Sequence, residues 1–256
     1  MSLYKSLKGI YWIVGAVCIV ILWVIGFKFP QYFWKSIVAV IFILMMTISI
    51  LSKVAILKFK DEVFFYLENC RVNEYLEKVS TLFSKKRDKD SVSANAYLMA
   101  LGYDALGDYD AMYDCCLRIT RKGHMSEYHS RMFDYYLNKE NIEYAKEEIA
   151  ALKALYSKAK KDREKLYLKD YIDNCEHVLR IHLGDYEGAE EYYLKKLDEF
   201  KDGPLLSRVS YSFGMGRLLF KKGENERAKE YLKFAHENGG DSKYKGKAEN
   251  ILARIG

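Results

Sequence analysis

The tetrapeptide Leu106-Gly107-Asp108-Tyr109 returns as Leu183-Gly184-Asp185-Tyr186, and both copies lie between stretches of helical apolar periodicity. Glycine ends a helix readily in the left-handed conformation. The aspartate after it can cap the next helix through its carboxylate, and the tyrosine opens that helix with an apolar body. Lys222-Gly223-Glu224-Asn225 is a looser third copy. Helix, glycine-polar turn, helix, written several times, is the pattern of a helical solenoid. Only Pro30 and Pro204 interrupt the 256 residues as prolines, so long helices with few breaks are expected.

After residue 60 the apolar spacing predicts helix pairs over 61–69 and 72–84, 91–106 and 108–121, 126–138 and 141–157, 162–183 and 185–201, and 204–221 and 225–237. A helix over 242–254, mixed in charge, closes the series as a cap. The charge run at 85–90 reads as a solvated loop. The 22 tyrosines fill gaps between neighbouring helices.

Residues 1–58 are different. Gly9 to Phe27 is uncharged and mostly apolar, and nineteen residues at about 1.5 Å each span roughly 28 Å, close to a bilayer's hydrocarbon thickness. A second apolar run covers 36–57, broken only by Lys53, which can snorkel. Between them Lys28-Phe29-Pro30-Gln31-Tyr32-Phe33-Trp34-Lys35 holds a helix breaker and an aromatic cluster, as an interfacial turn would. The expectation is a transmembrane helical hairpin at about 9–27 and 36–57. A cleaved signal peptide followed by a core helix is the alternative; the first run is long for that, and no small-x-small cleavage site precedes Lys28.

Charge divides the chain in the same place. Lys5, Lys8, Lys28, Lys35, Lys53 and Lys58 are the only charged side chains before residue 59, and the remainder carries 35 basic and 35 acidic groups. The net +6 therefore belongs to the hairpin, which argues against nucleic acid as a partner. Lys5, Lys8, Lys53, Lys58 and Lys60 flank the two termini of the hairpin, against Lys28 and Lys35 at its turn. That bias places the large domain in the cytoplasm. Cys18, Cys70, Cys115, Cys116 and Cys175 are odd in number and match no zinc spacing, so reduced thiols are expected.

The chain after residue 59 resembles the tetratricopeptide repeat family. The fifth pair carries Met215-Gly216, Leu219, Gly223, Ala228, Leu232 and Ala235 in that family's pattern. The second pair carries Met99-Ala100, Tyr103, Gly107, Tyr109 and Ile119, with Met112 where alanine is usual. The third carries Met132, Tyr136, Ala145, Ile149 and Leu152, with Glu140 in place of the turn glycine, and the fourth Gly184, Ala189 and Tyr193. The family's Trp and Pro are absent, and the turn glycines fall 77 and then 39 residues apart (107 to 184, 184 to 223) instead of 34. A helix-pair solenoid of another family is the alternative. The resemblance implies an all-α fold: a right-handed solenoid of about five helix pairs plus a capping helix over 59–256, behind the anchor at 1–58. It also implies a concave groove for a protein or peptide. The groove positions would be Tyr97 and Asp104, then Ser130, Asp134 and Asn138, then Asn174 and His182, then Phe213, Arg217 and Lys221.

No catalytic constellation accompanies this. His177 and His182 are off the i, i+4 spacing of a helical metal site. Gly214-x-Gly216 lies within a helix and lacks a third glycine, so it is no phosphate loop. Cys115-Cys116 reads as small buried side chains, and Glu147-Glu148 and Glu190-Glu191 as solvated helix faces. The expectation is a non-enzymatic membrane-anchored scaffold without cofactor or metal, binding a protein or peptide in its groove. An accessory subunit of a membrane enzyme, transporter or secretion complex, with the hairpin as its main contact, is the alternative. A peptide-sensing regulator is a third, without the N-terminal DNA-binding module such proteins usually carry.

Overall fold

The computed structural model describes residues 2–84, 88–120 and 122–256, with the backbone alone at 2–8, 52, 55, 56, 60 and 122. The described residues form thirteen α-helices and no strand. They fall into two compact units, Met1–Phe65 and Tyr66–Gly256.

In the first unit α1 (Ser2–Lys28) and α2 (Phe33–Phe59) pack on each other across a 3-10 turn at Pro30–Tyr32. The stretches Gly9–Lys28 and Pro30–Leu51 are each long and apolar enough to cross a membrane. The second begins earlier than 36 because Phe33 and Trp34 already belong to the helix. Trp12, Trp23 and Trp34 are exposed, and among the described residues here Cys18, Val40 and Val63 are buried. So much exposed apolar surface is costly in water and costless in hydrocarbon. Two hydroxyls of α2 are satisfied within the helix: Ser36 Oγ donates to Tyr32 O and Thr47 Oγ1 to Ile43 O. The side chains of Lys5, Lys8 and Lys60, used above for orientation, lie outside the described residues. A π turn at Lys60–Phe64 follows α2.

The remaining helices are α3 (Phe65–Glu68), α4 (Val72–Phe83), α5 (Lys89–Leu106), α6 (Tyr109–Cys116), α7 (Met125–Asn138), α8 (Ile142–Lys158), α9 (Asp162–His182), α10 (Ala189–Glu199), α11 (Leu205–Lys221), α12 (Asn225–Asn238) and α13 (Lys243–Ile255). From α4 to α9, and again from α10 to α13, each helix packs on the next; α5 also touches α7, α7 touches α9, and α11 touches α13. Most fall where the apolar spacing puts them, with four departures, the first being that the helix expected over 61–69 is a π turn at Lys60–Phe64 followed by the short α3. Asp88 caps α5 by accepting from the Ser91 N–H at 2.9 Å, so 88–90 open a helix and are not loop; 85–87 lie outside the described residues. The helix expected over 108–121 stops at Cys116. The Arg118 and Ile119 N–H groups turn back onto the Cys115 and Cys116 carbonyls, and the Thr120 N–H goes to Ser93 Oγ at 2.9 Å. The helix expected from 185 starts at Ala189, because Asp185 accepts from Arg180 Nε at 2.6 Å and from the Glu187 N–H at 3.1 Å instead of capping.

Five turns share one construction. Cys70, Gly107, Glu140, Gly184 and Gly223 all have positive φ, between 58° and 87°. In each, the N–H of that residue donates to the carbonyl three back, and the next N–H to the carbonyl five before itself. This is the Schellman closure of a helix end. The interval of 77 residues between turn glycines therefore holds one more such turn, at Glu140, a left-handed residue that is not glycine. The expected capping also holds in part: Asp108 accepts from the Ala111 N–H at 3.0 Å and Asn141 from the Tyr144 N–H at 3.4 Å.

Small residues sit where helices cross. Ala100, Ala145, Ala189, Ala228, Ala235 and Ala248 are buried. On α11, a Cβ at Gly214 would lie 2.5 Å from Tyr193 Cε1 of α10, and one at Gly216 would lie 2.6 Å from Leu232 Cγ of α12. The two glycines thus let α11 pack closely on both sides. Gly216→Val is expected to cost about 3 kcal/mol through overpacking. Gly246→Ala, on a stretch of α13 with nothing near the added Cβ, is expected to gain about 0.5–1 kcal/mol by removing a helical glycine. Thermal unfolding of the full chain in detergent, followed by circular dichroism, compares the two. Equal effects would remove the close-crossing account.

Candidate partner-binding face

The ten expected groove residues come from the first helix of each pair, at spacings of four and seven or eight that keep them on one side of a helix. The structure separates them into three groups.

Asp104, Asp134, Phe213 and Arg217 gather around α13, in a cluster drawn from α5, α6, α7, α11 and α13. Lys243 Nζ donates to Asp104 Oδ1 at 2.6 Å, and Arg131 Nη1 lies 3.3 Å from Asp104 Oδ2 and 3.9 Å from Asp134 Oδ2. One turn along α13, Lys247 Nζ donates to the Tyr109 hydroxyl at 3.0 Å. Tyr244 lies between them, its hydroxyl accepting from Ser210 Oγ at 2.9 Å and its ring 5.6 Å from that of Phe213. The Arg217 guanidinium lies 6.0 Å over the Phe213 ring. Arg131 Nε and Arg217 Nε are buried without a hydrogen-bond partner among the described residues.

Burial and charge split the two aspartates. Burial pushes Asp104 up, but Lys243 and Arg131 beside it outweigh that and hold it below the usual carboxylate range. Asp134 is pushed up to about 6 by burial and by Asp104. The lysines split the other way. Burial works against Lys243, yet Asp104 keeps it charged well above the ordinary lysine value. Lys247 is lowered to about 8 by burial, Lys243 and Arg217. Two acids thus sit among four cations, Arg131, Arg217, Lys243 and Lys247.

Tyr97, Ser130 and Asn174 form a second group. The Tyr97 ring stacks on that of His124 at 4.2 Å, and Asn174 Oδ1 accepts from the Tyr192 hydroxyl at 3.2 Å. Ser130 is buried on α7. Asn138, His182 and Lys221 are exposed near the C-terminal ends of their helices, with Lys221 Nζ donating to Ile181 O at 3.1 Å. Ser130 and Phe213 therefore face the interior and are not presented to a partner, Phe213 because Tyr244 covers it. Arg131, Lys243, Lys247 and Tyr109 were not among the expected residues. Lys243, Tyr244 and Lys247 do share a face at i, i+1 and i+4, a signal hidden by the mixed charge that suggested a cap. An open recess of about 1030 Å³ lies elsewhere on this unit, against α9 and α10, with Tyr167, Asp170, Tyr192 and Lys196 on its walls.

All five cysteines are free and buried. Burial pushes the Cys70 and Cys116 thiols up to about 11 and about 12, and raises Cys115 as well, so these groups stay protonated near neutrality. Two acids read as solvated are engaged instead. Glu148 Oε2 lies 2.6 Å from His129 Nδ1, and Glu190 pairs with Lys222 and with Arg227 of α12. Among the described residues no three His, Cys, Asp or Glu side chains gather as metal ligands. No protein-family model, curated protein or solved structure matches the chain, and the tetratricopeptide resemblance rests on the residues quoted for it.

Proposed function

We propose that this chain is a membrane-anchored helical-repeat adaptor. α1 and α2 hold it in a bilayer. The second unit stacks its helix pairs as a right-handed solenoid on the cytoplasmic side. It binds a protein or peptide partner on the side formed by the first helix of each pair, and catalyses no reaction. The observation that carries this reading is the run of five turns with one hydrogen-bond pattern behind two apolar helices. Such a unit presents equivalent helix faces in series, and an anchor raises effective concentration for partners at the same membrane.

A photo-crosslinker introduced into the full chain at Asn138 or His182, in native membranes, is expected to capture a discrete partner. The same group at Glu226 on α12 is expected to capture none. Indistinguishable adducts from both faces, or none from the first, would remove the reading. The covering of Asp104 and Phe213 by α13 leaves less of this face open, and favours as second reading an accessory subunit whose hairpin is the main contact. Exchanging α1 and α2 for an unrelated hairpin separates the two: the adaptor keeps its partner and the accessory subunit loses it.

A further inference from the structure

A number of the cations in the second unit have an acid beside them. Lys139, Lys146, Lys153, Arg180, Lys222, Arg227 and Lys229 are typical of a dozen. The α8–α9 turn instead concentrates cations that have none. Lys158, Lys160, Lys161, Arg163, Lys165 and Lys169 fall within twelve residues. None makes an ion pair among the described residues, and all but Lys165 are exposed. Asp162 and Glu164 are the acids interspersed, so the stretch keeps an excess of four positive charges in a domain that is neutral as a whole. Beside these cations stand exposed apolar side chains: Leu166 is 71% exposed and Tyr156 37%, while Tyr167, 48% exposed, keeps its hydroxyl on Glu127 Oε1 at 3.1 Å. Lys161, Arg163, Leu166, Tyr167 and Lys169 also share the rim of the 1030 Å³ recess, so cations and apolar tips face one opening. Lys196 neutralises Asp170 and Glu199 at the recess wall.

We propose that the α8–α9 turn is a docking surface for an anionic lipid bilayer. Clusters of four to eight lysines and arginines are drawn to anionic headgroups within about a Debye length. Lysine and arginine stems can lie along the apolar boundary while their heads stay in water. Leu166 would enter that boundary with Tyr156 beside it, as the apolar face of an interfacial segment does. An acidic protein would satisfy the charges but gives Leu166 no comparable environment, so the bilayer is the occupant that uses both halves of the surface. This rests on the anchor reading above, which brings a bilayer within reach of the domain.

The test uses the full chain in nanodiscs, with Leu166→Cys carrying an environment-sensitive thiol dye; the native cysteines are buried. Discs of phosphatidylcholine alone are compared with discs holding about 30% phosphatidylserine, each with and without brominated acyl chains. The expected result is a blue-shifted dye, quenched at least twofold by bromine, in the anionic discs only. About 0.5 M salt and the variant Lys160→Glu/Lys161→Glu/Arg163→Glu should each abolish the signal. Equal signals in both lipid compositions, or a signal indifferent to salt and charge reversal, overturn the proposal. A shift that polyglutamate produces in neutral discs, with none from anionic lipid, overturns it in favour of an acidic protein. Alkaline carbonate extraction reports on the anchor separately. A chain that washes off has lost the anchor reading, and flotation with anionic but not neutral vesicles then still decides the docking surface.

Discussion

Asp104→Asn is expected to lower the stability of the second unit by about 3–4 kcal/mol, whereas Asp134→Asn should raise it near neutral pH by about 1 kcal/mol. Both carboxylates belong to one cluster, and their opposite signs follow from their neighbours. Asp104 holds Lys243 at 2.6 Å and Arg131 at 3.3 Å, with side chains only 9% and 17% exposed. Removing the charge leaves two buried cations short of a partner, which is the costly way to break a buried pair. Asp134 has Arg131 at 3.9 Å and Asp104 as a like charge nearby, so its ionised form is disfavoured. The pH dependence follows from these directions. Asp104 titrates lower in the folded state, so its contribution is present above the unfolded carboxylate value near 4 and is lost as pH falls through the folded value. Asp134 titrates at about 6 when folded, so its contribution is complete below about 4 and is lost as pH rises through 6. The advantage of Asp134→Asn should therefore appear between pH 4 and 6 and vanish below 4. Chemical unfolding at pH 7.5 and pH 4 measures both variants. A destabilised Asp134→Asn at pH 7.5 would refute the assignment of roles. Asp104→Leu with Lys243→Met, an apolar pair of similar volume, should recover much of what Asp104→Asn loses.

Helix positions were legible because local chemistry decides them. Gly107 takes the left-handed position and Asp108 caps the next helix, as their letters imply. Identical letters at 184–185 behave differently, since Arg180 one turn earlier captures the Asp185 carboxylate. That competition is set by a neighbour outside the motif. Two turns were legible as breaks in the apolar spacing, but not their left-handed conformation, because Cys70 and Glu140 stand where glycine is usual. The fifth pair was legible in detail: Met215, Leu219, Ala228, Leu232 and Ala235 are all buried. The central cluster was not, because Lys243 and Asp104 are 139 residues apart. Spacing along one helix says which residues share a face; how far a series of helices curves depends on every crossing between them. Small changes summed over five pairs decide whether α13 meets α5.

That meeting is fixed at one further place, and it is open to a second large test. Gly240→Ala is expected to destabilise the second unit by about 3–4 kcal/mol. Its φ is +54° and an added Cβ would stand 2.3 Å from the Cys70 carbonyl oxygen, so both backbone strain and a clash with main chain oppose the side chain. The contact matters because of what precedes α4. Four of the five repeat turns carry an acid or asparagine after the left-handed residue, but the first carries Arg71, which has no acceptor for the helix N–H groups. Asp241 supplies it from the far end of the unit. Its Oδ1 accepts from the Val72 N–H at 2.6 Å and its Oδ2 from the Asn73 N–H at 2.9 Å, while its own N–H donates to Cys70 O at 3.1 Å. A carboxylate bound to two N–H groups at a helix start is a strong cap, so Asp241→Ala should cost about 2 kcal/mol and Asp241→Asn about half that. Hydrogen exchange gives a local reading that global unfolding does not. In Asp241→Ala the amides of Val72 and Asn73 should exchange at least tenfold faster, and the Lys243 region with them, while amides of α8 keep their protection. Unchanged exchange at Val72 and Asn73 would mean that the C-terminal segment does not close onto the first repeat. The cluster around Asp104 would then have to be held by Lys243 and Arg131 alone.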